Sequence, residues 1–146
     1  MGGNVFSHAA AITAQLAPPK HTNGTAVAER YQVGGARAEA MAGFPTVRQA
    51  AALLEHHDPL TVLLWLMAHT EDSNLYHRGG AEGAAFVKQQ AAAILQAPPE
   101  NRPAQAEALD QALIALKLSP GGCADLLALA LFLQMLPAGL TSQCLL

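Results

Sequence analysis

At 146 residues and a formal net charge of −3, with no basic block, the chain has single-domain length and lacks the broad cationic surface of a nucleic-acid binder. Hydrophobic residues make up 51% and charged residues 13%, which excludes a disordered chain, and 5% aromatics beside abundant Ala and Leu favours helices over sheets. Two cysteines, Cys123 and Cys144, form no disulfide framework, no stretch reaches the roughly 18 apolar residues that span a bilayer, and residues 1–10 lack the charged start and apolar run of a signal peptide. A cytoplasmic protein with neither a membrane nor a nucleic-acid partner is the expectation. The expected fold class is all-α: a compact bundle of about six to eight helices with glycine-rich polar loops, forming one domain over residues 1–146.

In chain order, Val5–Leu16 reads as a short helix stopped by Pro18-Pro19. His21–Gly24 is a loop with capping residues, and Thr25–Tyr31 a short helix. Gly34-Gly35 then allows a tight turn or a close backbone approach to a ligand, with Arg37 suited to phosphate and Glu39 supplying a carboxylate. The plainer alternative is a glycine turn before an alanine-rich helix with two solvated charges. Pro45 opens a helix over Thr46–His57, with Val47, Ala50, Ala51 and Leu54 on one face. Asp58-Pro59 starts the next helix, Asp as N-cap and Pro in the first turn. Leu60–Thr70 is apolar nearly all round, which predicts a helix surrounded by others.

A polar segment follows directly. Glu71, Asp72, Asn74, His77 and Arg78 fall within eight residues and close on Gly79-Gly80. Asp72 and Asn74 are types that bind a divalent cation or orient a ribose hydroxyl, and His77 and Arg78 types that meet phosphate. The alternative is a solvated loop whose Asp and Asn cap neighbouring helices. His69 reads as a helix-end histidine. Helices are then expected over Ala81–Gln96 and Ala104–Leu118, separated by Pro98-Pro99. Ser119-Pro120-Gly121-Gly122-Cys123-Ala124-Asp125 leads into an apolar helix, Leu126–Leu136, before a loosely held tail. Ser119 and the two glycines bring backbone amides to a helix start, where anions are favoured, and Asp125 is placed in the first turn, where it reaches a cation or simply complements the helix dipole. No zinc, P-loop or dinucleotide signature is present.

Three segments, Gly34–Pro45, His69–Gly80 and Ser119–Leu133, together resemble the triphosphoribosyl-dephospho-CoA synthases, which make the prosthetic-group precursor of citrate lyase or malonate decarboxylase. The likeness runs from about Thr22 to Leu136, whereas the family has in addition an N-terminal half with motifs of its own. Ser73 stands where the family usually has Thr, and Cys123 where it usually has Ser. The resemblance implies ATP and 3′-dephospho-CoA as substrates: the 2′-hydroxyl of dephospho-CoA attacks the anomeric carbon of ATP's ribose, and adenine leaves. It further implies Mg²⁺ held by Asp72 with Glu71 or Asp125, phosphate contacts from Arg37, His77 and Arg78, and backbone approach at Gly35, Gly79, Gly80, Gly121 and Gly122. Asn74 and Ser119 join the nucleotide-binding set, and Glu39 serves as base or stabilises the sugar cation, with Asp72 beside it in the catalytic pair. A short member, a C-terminal fragment, and a chain whose other half is supplied elsewhere all fit these motifs. So do a non-catalytic nucleotide- and magnesium-binding remnant and a structural protein that self-associates through exposed apolar faces.

Overall fold

The computed structural model describes residues 5–16, 22–32 and 34–137, and over these the chain is helical, with no strand. The helices are α1 (Val5–Gln15), α2 (Asn23–Tyr31), α3 (Gly35–Met41), α4 (Pro45–Leu53), α5 (Pro59–His69), α6 (Ser73–Gln96), α7 (Arg102–Leu116) and α8 (Gly121–Met135), with a 3₁₀ turn at Pro99–Asn101. No helix among the described residues is long and apolar enough to cross a membrane. The tail after Pro137, Cys144 included, lies outside the described residues.

The apolar helix α5 is the centre, packed against α4, α6 and α8. Its Val62, Leu64 and Leu66 are all but sealed from solvent, and burying a side chain of this kind stabilises the fold by about 1.5–3 kcal/mol. Around them close Val47 and Ala50 of α4, Leu75, Val87 and Ala91 of α6, Leu109 and Leu113 of α7, and Ala130 and Leu133 of α8. The start of α5 is built as the sequence predicts. Asp58 accepts from the Thr61 amide at 3.0 Å and from its hydroxyl at 2.7 Å, and those two bonds hold the carboxyl below its ordinary range. Arg102 ties the far side together, donating to the carbonyls of Leu95 and Ala97 at the end of α6. Gln134 of α8 donates to the Ala51 carbonyl of α4 at 3.1 Å.

Three local readings are corrected. The helix expected over 46–57 ends at Leu53, because the Glu55 and His56 amides turn back to the carbonyls of Ala52 and Leu53 in 3₁₀ fashion ahead of Asp58-Pro59. The polar segment expected as a loop is helical from Ser73 onward, so Asn74, His77 and Arg78 sit on helix turns. That helix breaks at Gly80, whose backbone (φ 63°, ψ −163°) is a conformation essentially confined to glycine. Finally, α8 begins at Gly121, which puts Asp125 in its second turn and not its first.

Candidate functional site

A cavity of about 550 Å³ lies where α3, α4, α6 and α8 begin and α5 ends. Gly35 and Ala36 come from the start of α3, Thr46 from the start of α4, Ser73 and Asn74 from the start of α6, and Gly122 and Asp125 from α8. His69, Thr70, Glu71 and Asp72 bring the connection from α5 to α6 into the same wall. Helix starts carry partial positive charge and, where no side chain caps them, unpaired amides, which favours an anion. Yet the described lining holds four carboxylates, Glu39, Glu71, Asp72 and Asp125, and neither Arg nor Lys. A bare polyanion meets repulsion there, whereas one that carries divalent cations does not.

Asp72 is only 4% exposed. One carboxylate oxygen accepts from the Asn74 amide at 2.8 Å and caps α6; the other accepts from the Cys123 amide at 2.9 Å in the first turn of α8. The side chain therefore stitches two helix starts that lie 51 residues apart in sequence. Gly122 makes this possible. A Cβ on it would stand 2.9–3.1 Å from the Asp72 carboxyl atoms, closer than such atoms tolerate. The Cys123 thiol is not part of the cavity lining. It is buried, in contact with the Thr70 hydroxyl at 3.3 Å, and burial pushes it up to about 12. A thiol held protonated is no nucleophile.

Glu39 performs a similar task over a shorter span. Its carboxylate accepts from the Thr46 amide at 2.7 Å, the Val47 amide at 3.1 Å and the Thr46 hydroxyl at 3.0 Å, capping α4 from the preceding helix. Its own carbonyl takes the Phe44 amide at 2.8 Å. Phe44 is held in the left-handed region (φ 56°) just before Pro45, with its ring against Phe6 at 5.8 Å. Strain of this kind persists where surrounding contacts over-determine it; here it aims the start of α4 at the cavity.

Glu71 accepts from the Tyr76 hydroxyl at 2.5 Å and forms an ion pair with Lys88. Burial acts to raise its carboxyl, but the bonds from Lys88 and Tyr76 outweigh it, and the net shift is downward. Tyr76 is pushed up to about 12 by the same bond to Glu71. Asp125 is exposed and has no hydrogen-bond or ion-pair partner among the described residues. Among those residues no three His, Cys, Asp or Glu side chains form a group that holds a metal by itself. The donor set nevertheless suits Mg²⁺, which is usually held through one or two carboxylates plus substrate phosphates. Asp125, and the lone pairs of Asp72 not taken by amides, are the carboxylate donors that the lining leaves available.

Seven residues singled out in the sequence fall outside this lining. Arg37 donates to the Leu16 carbonyl at 2.6 Å. His77 and Arg78 are exposed one turn further along α6, His77 on the face of Ser73. Gly79 lies against Leu118, and Gly80 lies beside the Tyr31 hydroxyl. Gly121 sits against the Asn74 side chain, and Ser119 faces a second cavity. Conversely, the structure brings in His69, Thr46, Thr70 and Ser73, and Lys88 through Glu71. Ser73 stood inside a singled-out motif, but nothing local marks Lys88, which lies 17 residues from its partner.

Comparison with known proteins places the sequence in a family. The family described as ATP:dephospho-CoA triphosphoribosyl transferase matches residues 3–143. The chain is 44% identical over 122 residues to a probable 2-(5''-triphosphoribosyl)-3'-dephosphocoenzyme-A synthase of Salmonella gallinarum, covering 75% of this chain and 40% of the relative. It is 45% identical over 118 residues to the 2-(5''-triphosphoribosyl)-3'-dephosphocoenzyme-A synthase of Pectobacterium atrosepticum (74% and 38%). To a probable synthase of the same description in Azotobacter vinelandii it is 41% identical over 132 residues (82% and 44%). The chain thus spans about two fifths of the length of these relatives. No solved structure matches it.

Proposed function

The chain belongs to the ATP:dephospho-CoA triphosphoribosyl transferase family, and we propose that its cavity handles the magnesium-bound triphosphate in transfer of the triphosphoribosyl group of ATP to 3′-dephospho-CoA. The observation that supports this most is the pairing of the starts of α3 and α8, whose N-cap residues make no side-chain cap, with an acid-rich lining. That combination suits a polyphosphate already carrying cations and suits neither half alone.

In this reading the bond between adenine and the ribose anomeric carbon breaks, and the acceptor's 2′-hydroxyl oxygen bonds to that carbon. The hydroxyl proton is lost and adenine leaves protonated. Mg²⁺, when bound, supplies charge neutralisation for the triphosphate. Asp125 and Asp72 hold it, while Asp72 also fixes the starts of α6 and α8 relative to each other. Amides at the starts of α3 and α8 face the phosphate oxygens. Glu39, committed to three bonds, is a positioning residue for α4. Transition-state positive charge on the sugar is met by the acidic lining. The product is the prosthetic-group precursor of citrate lyase or malonate decarboxylase.

Adenine release, followed chromatographically with ATP, dephospho-CoA and Mg²⁺, is the test. Release that needs both substrates supports transfer by this chain. A second reading is a nucleotide-binding member without turnover of its own; Mg-ATP binding without adenine release supports that one. A chain that binds neither substrate contradicts both.

A further inference from the structure

A second cavity of about 550 Å³ lies beside the first and differs from it in kind. Its floor is Leu60, Leu63 and Met67 on one stripe of α5, faced by Leu113 of α7 and closed by Pro120. Its only charged lining groups are Glu107 and Asp110, one turn apart on α7. The two cavities have no lining residue in common, but neighbouring stretches of the same two segments line both. The α5 stripe that floors the apolar cavity continues, three residues past Met67, to Thr70 in the polar one. The 119–122 segment borders the apolar cavity through Ser119 and Pro120 and the polar cavity through Gly122.

We propose that the apolar cavity receives the pantetheine arm of the CoA-type substrate, an inference that rests on the function proposed above. The occupant must continue from a site for phosphates into one that repels them, so it must be anionic at one end and uncharged at the other. Its uncharged part must offer apolar surface to the α5 stripe and N–H or O–H donors to the two carboxylates of α7. A gem-dimethyl group, a hydroxyl and two amide N–H groups on a chain that begins at a diphosphate meet each requirement. ATP, which has no such arm, leaves this cavity empty.

Calorimetric titration of the full chain with Mg²⁺ plus ADP, ATP or dephospho-CoA, and methyl-detected NMR with pantetheine alone, test it. Dephospho-CoA should bind at least tenfold more tightly than ADP, the half it shares. Ala106→Trp, which fills the cavity from α7, should erase that difference and leave ATP binding unchanged. Equal affinities for the two ligands, or a difference that survives Ala106→Trp, overturn the inference while ATP binding keeps the polar-cavity reading. If no nucleotide binds, shifts at the Leu63 and Met67 methyls on adding pantetheine still support the arm site. Without such shifts, or with shifts that track protein concentration as in self-association, it is overturned. Should Ala106→Trp not fold, Leu63→Asn replaces it with the same expectations.

Discussion

Glu39 and Asp72 are both carboxylates that cap a helix at the edge of one cavity, yet they hold different things. Glu39 closes a corner between neighbours in sequence, bonding seven and eight residues ahead, and is half-buried. Asp72 bridges 51 residues, is buried, and has a glycine cleared from its path. One shapes a local turn; the other fixes how two halves of the bundle meet. Asp125, on the same cavity, holds nothing. Acids that look alike in sequence thus divide into local cap, long-range tie and unpartnered carboxylate.

The comparison breaks first at Asp72. Asp72→Ala should cost about 3 kcal/mol in denaturant unfolding, from a lost cap and two orphaned amides; a cost equal to that of Glu39→Ala would erase the distinction. Gly122→Ala, driving a Cβ into the Asp72 carboxylate, should cost about 1–3 kcal/mol. The double mutant with Asp72→Ala should cost less than the sum, since the clash is then gone. Glu39→Ala should cost about 1 kcal/mol, a cap's worth, in the same assay. Asp125→Asn should leave stability within about 0.5 kcal/mol, as surface changes usually do. A larger loss would mean that Asp125 has a structural partner.

Cys123 sharpens the picture from the buried side. Its folded value of about 12 lies above the ordinary 9.0, so the stability gained from the protonated thiol is complete below pH 9 and lost as pH rises towards 12. Serine there should flatten that alkaline decline. In a Cys144→Ser background, iodoacetamide at pH 8 should modify Cys123 only at the rate of unfolding. Rapid modification of the folded chain would show an accessible thiolate.

The fold was largely readable. An apolar α5, the Asp58-Pro59 start and the 3.6-residue periods gave the bundle, because those signals are local. The concentration of polar residues after α5 and the two glycine-rich corners also pointed to the cavity, which Gly35, Glu39, Asp72, Asn74, Gly122 and Asp125 line. What the sequence could not show was which carboxylate is spoken for. Asp72 meets Cys123, and Glu71 meets Lys88, across distances that only packing sets. Arg37 and Arg78 matched phosphate by residue type alone, and type does not fix direction. The helix running from Ser73 was hidden by a dense polar run that ends in two glycines, since such runs read as loop until their cap is seen.

The central claim is that this cavity accepts a triphosphate only together with divalent cations, through Asp125. Titrating the chain with ATP, with and without Mg²⁺, in the unaltered protein and in Asp125→Asn, tests it most directly. The account predicts binding that requires Mg²⁺ and weakens about tenfold, or about 1.4 kcal/mol, in the variant. Equal binding of ATP with Mg²⁺ removed, or a variant that binds Mg-ATP as tightly as the unaltered chain, would contradict it.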